Sequence, residues 1–213
     1  MTNELTKEWS LGYILDHWIR VIAIVVLIFT GIYIHTPFIA GGPDSTIMAS
    51  MRFFHFLAAY ALILGLVIRI YMAFKSTFDA DWKDFSITEN LKNVPDILSY
   101  YLFIKGSHKD YRKYNPLQAL AYLFTALMII FTVLTGGALY HGKLFGILSC
   151  PGSFQWVSTM LGGESYTRIW HILTMWYFII FVLIHMYLAI SISLINKDRT
   201  FTSIFTGYKL KKH

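Results

Sequence analysis

HILTMWYFIIFVLIH, residues 171–185, is membrane-crossing sequence with an imidazole at each end. Histidine is costly in hydrocarbon, so its presence there demands a reason. The fourteen steps from His171 to His185 cover about 21 Å of helix. They leave the two side chains about 40° apart around the axis, so both lie on one face. One face of one helix thus offers an imidazole to each leaflet.

The chain around this stretch has 213 residues and is 56% hydrophobic, 17% aromatic and only 14% charged, which suits a small polytopic membrane protein. Four stretches are long and apolar enough to cross a bilayer, about 18–36, 53–74, 117–140 and 169–195. They predict an all-α fold, an integral membrane four-helix bundle forming one domain over residues 1–213. The only long polar connection is 75–116. The opening MTNELTKEWSLGYILDHW is too polar for the start of a signal peptide, so the first apolar run is read as a retained span. A single cysteine, Cys150, excludes an internal disulfide and any cysteine-held zinc or iron–sulfur site.

The net charge of +6 matters less than its placement, and no nucleic-acid partner is expected. Fourteen of the eighteen Lys and Arg residues lie in 1–20, 75–116 and the tail from 196. Both termini and the 75–116 loop are therefore expected in the cytoplasm. Counting along the spans then gives depth. His17 falls at the cytoplasmic end of the first span and His55 near the outer end of the second. His171 is outer and His185 inner, so His55 matches His171 in depth and His17 matches His185. Two stacked pairs of facing histidines in a four-helix bundle suit two bis-histidine haems, which leave iron no open position and serve one-electron transfer. A lone intramembrane His is often only a helix–helix hydrogen-bonder. A proton relay or metal transporter also uses such residues, but it would usually add buried Asp or Glu, absent from these span interiors.

Arginines recur near the proposed ligands. Arg52 precedes His55 by three residues and Arg168 precedes His171 by three, giving the units RFFH and RIWH at the outer level. Residues three apart share a helix face, so both are candidates to pair with haem propionates. Arg69 and Arg20 are the candidates at the inner level. The bland reading is that Arg52 and Arg168 only mark the membrane boundary. His35 and His141 are expected to be solvated at outer span ends, and His213 belongs to the tail.

Over nearly its whole length the chain resembles the b-type cytochrome subunit of membrane-bound nickel–iron hydrogenases. The likeness rests on HWIRVIAIVVLIFTG (17–31), RFFHFLAAYALILGLVIRIYMAF (52–74), and YNPLQALAYLF with LTGGALY in the third span. It continues with Arg168, His171, Trp176, Phe181 and His185 in the fourth, and with GYK at 207–209. It implies haem b, two per chain, with iron held by His17, His55, His171 and His185. It implies a multi-pass subunit of the bacterial inner membrane that anchors the small and large hydrogenase subunits in the periplasm. Electrons would pass from the iron–sulfur subunit through the haems to membrane quinone, so the chain is not an enzyme on its own. One departure is Ile14, where relatives often carry a basic residue three before the first-span histidine. The inner haem would then rely on Arg20 or Arg69.

For quinone, the run HKDYRKYN (108–115) offers His108, Tyr111, Tyr114 and Asn115 at cytoplasmic depth. His108 would exchange a proton near neutral pH and Asn115 would hydrogen-bond a carbonyl. The alternative there is a solvated basic loop with interfacial tyrosines. The competing function is the equivalent cytochrome b subunit of a formate dehydrogenase or another quinone-linked oxidoreductase.

Overall fold

The computed structural model describes residues 3–39, 46–76, 78–102, 104–106, 111–144 and 146–212. Four helices carry the apolar stretches: α1 (Leu11–His35), α2 (Ile47–Lys75), α4 (Pro116–Leu139) and α6 (Glu164–Asn196). Three shorter helices join or follow them: α3 (Ile87–Tyr101), α5 (Cys150–Leu161) and α7 (Thr200–Thr206). No more than 17% of the apolar window of any long helix is buried inside the protein. The remaining apolar surface can be accommodated only by lipid, as expected of a membrane bundle.

The long helices begin earlier than the apolar stretches because backbone hydrogen bonding continues until a cap ends it. Ser10 caps α1, its Oγ accepting from the Tyr13 amide at 3.2 Å. Asn115 caps α4 in a reciprocal arrangement with Gln118, and Pro116 sets the first turn. α1 therefore starts seven residues before residue 18 and takes in Asp16, a buried carboxylate that the apolar count places outside the span. Arg20, one turn on, pairs with it at 2.6 Å.

The bundle is not purely helical, and its connections are not plain loops. A four-residue 3-10 turn (Trp82–Phe85) and α3 occupy the 75–116 connection. On the opposite side, α5 fills the link between α4 and α6. It stops at Gly162 in the left-handed region (φ 92°), and Gly163 (φ 111°) turns the chain straight into α6. Two short antiparallel ribbons are present. β1 (Asn3–Lys7) pairs with β4 (Tyr208–Lys212), and β2 (Lys143–Leu144) pairs with β3 (Leu148–Ser149). The first ribbon joins the two ends of the chain on one face. Trp9 Nε1 adds a bond to Ser203 Oγ at 3.2 Å, and Trp18 Nε1 one to the Ile204 carbonyl at 3.1 Å.

The centre of the bundle is a small apolar cluster of Ala23, Ala58, Leu62, Ile129 and Phe178. Small residues let the backbones approach. Gly65 on α2 is the tightest of the glycines within the described helices: a Cβ there would lie 2.6 Å from Arg20 Cγ and 3.3 Å from Asp16 Oδ1. Gly65→Ala should displace the buried ion pair and cost about 1–3 kcal/mol, read as a fall in Tm of the detergent-solubilised protein. An unchanged Tm would show that α1 and α2 do not depend on this contact.

Candidate functional site

Two pairs of imidazoles come together. His55 on α2 faces His171 on α6 with ring centres 6.4 Å apart. His17 on α1 faces His185 on α6 with ring centres 6.5 Å apart. A metal–imidazole bond is about 2.0 Å and the ring centre lies about 1.1 Å beyond the nitrogen, so two imidazoles across one iron have centres about 6.2 Å apart. Both pairs stand close to that separation.

The outer pair is held by two threonines from the other two long helices. Thr30 on α1 donates its hydroxyl hydrogen to the Val26 carbonyl at 2.6 Å, and its oxygen lies 2.9 Å from His55 Nδ1. Thr135 on α4 donates to the Phe131 carbonyl at 3.0 Å and lies 2.9 Å from His171 Nδ1. A hydroxyl has one hydrogen, and here the helix backbone takes it. A threonine oxygen so placed accepts from an Nδ1–H, the tautomer that leaves the Nε2 lone pair free to ligate. A glycine follows each threonine. A Cβ on Gly136 would sit 3.2 Å from His171 Cε1, and one on Gly31 would sit 3.5 Å from His55 Cε1.

Beside these rings lies an open cavity of ≈ 80 Å³ lined by Gly31, His55, Leu62, His171, Met175 and Phe178, among others. It adjoins a second one of ≈ 380 Å³ that carries Arg168, Glu164 and Ser165, the two sharing His35 and Ile172. An apolar slot with ionisable side chains at its mouth matches a flat apolar ring whose edge bears carboxylates. His35 is exposed, as expected, yet it lines both cavities. His141 is 3.1 Å from Glu164. Arg52 is exposed one turn before His55.

The inner pair is built differently. His17 Nδ1 is buried with no hydrogen-bond partner among the described residues, and His185 Nδ1 has only Tyr122 Oη at 3.5 Å. Aromatic rings supply the packing. Phe181 stacks on His185 at 5.7 Å and 13°, and Trp18 meets His17 edge-on at 5.5 Å. Arg20 is committed to Asp16, whose Oδ1 has no partner among the described residues. The Arg69 guanidinium lies 5.4 Å from the centres of both the Tyr13 and Phe85 rings. It donates from Nη2 to the Ala80 carbonyl at 3.1 Å, and its buried Nη1 has no partner among the described residues. Ile14 is buried beside Trp9, Tyr13 and Ala80.

The residues proposed for quinone have protein partners of their own. Tyr114 hydrogen-bonds Tyr13 hydroxyl to hydroxyl, and burial holds its phenol well above the usual range. Tyr111 donates to Asp96 at 3.2 Å, and burial with that carboxylate raises its phenol as well. Asn115 caps α4 and donates to Tyr101 Oη at 2.9 Å. His108 lies outside the described residues.

Residues 8–207 match the prokaryotic cytochrome b561 family. The chain belongs to that family. Among similar proteins, a "Probable Ni/Fe-hydrogenase B-type cytochrome subunit" of Azotobacter vinelandii is 31% identical, with 92% of this chain and 85% of the relative covered. The protein of the same description from Cupriavidus necator is also 31% identical, covering 92% and 83%. An Escherichia coli "Probable Ni/Fe-hydrogenase 1 B-type cytochrome subunit" is 26% identical, covering 92% and 87%.

A b-type cytochrome carries haem b, and the facing imidazoles fit it by their separation and, in the outer pair, by threonine oxygens placed to accept from Nδ1–H. The threonines escaped sequence reading because Ser and Thr are common in membrane helices. The available signal was the Thr-Gly pair recurring near the outer ends of α1 and α4. An acceptor on Nδ1–H makes an imidazole a stronger donor to ferric iron and lowers the potential. Thr135→Val should therefore raise the potential of one haem component. A hydrogen bond worth about 1 kcal/mol corresponds to roughly 40 mV for a one-electron couple. Redox titration followed by optical absorbance measures it; an unmoved midpoint would deny the bond a role.

Proposed function

We propose that this chain is the dihaem b-type membrane subunit of a hydrogen:quinone oxidoreductase, a single domain over residues 1–213. In this reading His55 with His171 and His17 with His185 each hold one haem b by Nε2. The observation that carries it is the matched separation of the two pairs, 6.4 and 6.5 Å, at opposite ends of the same face of α6. The bound groups supply one-electron transfer between the iron–sulfur subunit of a nickel–iron hydrogenase and membrane quinone, with no substrate position on iron. The names of the relatives support the hydrogenase partner.

The protein's own residues bind, orient and exclude water. Thr30 and Thr135 fix the outer imidazoles. Arg168 and Arg52 stand at the outer level for propionates, and Arg69, with one guanidinium nitrogen unpartnered among the described residues, stands at the inner level. Arg20 reaches that role only by loosening its bond to Asp16. Quinone is assigned to the cytoplasmic end, around Tyr111, Tyr114, Asn115 and His108. There the Tyr111 hydrogen is already given to Asp96 and the Tyr114 hydroxyl is paired with Tyr13, so a quinone carbonyl would have to displace one of these bonds to be held by either phenol. The excess of Lys and Arg in the termini and the 75–116 segment supports a cytoplasmic location for that end in a bacterial inner membrane. The small and large hydrogenase subunits then sit on the α5 side, in the periplasm.

A pyridine haemochrome assay on the purified chain should return close to two haems b per polypeptide. His55→Ala and His17→Ala should each remove one. A wild-type value near one, or retention of both haems in these variants, would overturn the pairing. Co-purification with nickel and iron–sulfur subunits separates the hydrogenase from a formate dehydrogenase. Hydrogen-driven haem reduction should be followed by re-oxidation that a quinone analogue blocks; indifference to the analogue would remove quinone as the acceptor.

A further inference from the structure

α3 divides its circumference three ways. Ile87, Leu91 and Leu98, with its C-cap Leu102, are 44–59% exposed, and their spacing puts them within about 60° of arc. Ile97 is fully buried and Tyr101 bonds to Asn115; they share a neighbouring side, the one tied to α4. Glu89, Lys92, Asn93 and Asp96 occupy the rest. A solvated helix would not place four large apolar side chains in one open row beside a polar face.

The two ends of α3 are fastened at one level. At its C-terminus, Tyr101 bonds to Asn115, the cap from which α4 starts. Before its N-terminus, Asp79 accepts from the Ser10 amide at 2.9 Å and from the Ser10 hydroxyl at 2.8 Å, and Ser10 is the cap from which α1 starts. The intervening 3-10 turn is held by Arg112, whose two terminal nitrogens donate to the Asp81 carboxylate at 3.1 and 3.0 Å. Arg112 also holds the Asp81 carboxyl below its usual range. α3 is thus pinned beside the first turns of two membrane helices, at the level where their apolar stretches begin, with its apolar row exposed.

We propose that α3 is an interfacial helix whose Ile87–Leu91–Leu98–Leu102 row is embedded in the adjoining lipid leaflet, at the boundary of headgroups and acyl chains. The occupant is lipid, not a protein partner and not a second copy. Helices of this kind lie in the membrane plane with the apolar face sunk about 5–10 Å and the polar face in water. α3 then clamps the 75–116 connection to the bilayer on one side and to α4 on the other. Tyr114, Tyr101 and Asn115 are thereby held at a constant depth. This holds whichever oxidoreductase the chain serves.

The test uses full-length haem-loaded protein in vesicles of phosphatidylcholine and phosphatidylglycerol. Single spin labels are placed by Leu91→Cys, Leu98→Cys, Glu89→Cys and Asn93→Cys in a Cys150→Ser background, each preparation checked by its haem spectrum. Labels at 91 and 98 should be more accessible to oxygen than to a water-soluble nickel chelate, with the opposite order at 89 and 93. Chelate access at 91 and 98 equal to that at 89 would overturn the proposal, and so would shielding from both reagents, which would mean a protein cover. A lipid-soluble photoreactive carbene on the unsubstituted protein gives a second readout. It should modify Leu91 and Leu98 and spare Glu89 and Asn93; the reverse pattern would sink the idea.

Discussion

Two neutral imidazoles have to face each other across a gap of about 6 Å inside hydrocarbon, and the rest of this structure follows from meeting that demand twice. A ring left free would turn, and a ring whose Nδ1–H had no acceptor would leave a buried donor unsatisfied at a cost of about 1–3 kcal/mol. At the outer level the solution uses all four long helices. α2 and α6 bring the imidazoles, while α1 and α4 bring a threonine each whose hydroxyl also bonds to the helix backbone. The glycines after those threonines let the rings lie against the helix backbones. At the inner level the imidazoles come from α1 and α6 and are held by aromatic packing of Phe181, Trp18 and Tyr122, while His17 Nδ1 has no hydrogen-bond partner among the described residues.

That difference in support gives the two levels different character. The outer rings are oriented by hydrogen bonds and line a cavity that adjoins a second one carrying Arg168. The inner rings sit beside an ion pair, Asp16 with Arg20, that Gly65 admits between α1 and α2. Replacing Gly65 by a residue with a side chain therefore acts on the inner level through packing, without touching a ligand. A buried ion pair adds little stability when intact, but loss of one partner strands the other charge.

The face opposite α5 is closed by parts that are neither spans nor ligands. The two chain ends pair as β1 and β4, two indoles bond to the C-terminal segment, and α3 is tied to the caps of α1 and α4. These ties hold the starts of the helices that carry His17 and Tyr122. They set the depth of the inner level as firmly as the spans do.

Much of this was legible from the residues alone. Four apolar runs of bilayer length, one face of residues 171–185 with a histidine at each end, and the match in depth of His17 with His185 and of His55 with His171 lead to a four-helix bundle with two histidine pairs. These features are periodic or depend on length, and periodicity and length are local. The Thr30 and Thr135 contacts, the commitment of Arg20 to Asp16, and the partners of Tyr111, Tyr114 and Asn115 were not legible, because each depends on which helix faces which and at what rotation. The pairing of β1 with β4 spans nearly the whole chain, and no local pattern announces it. Composition and spacing determined that this protein crosses the membrane four times and offers paired imidazoles at two depths. Only the packing of helices decided which side chains orient those imidazoles, because a hydrogen bond between helices depends on tertiary distances of a few ångströms that no single segment encodes.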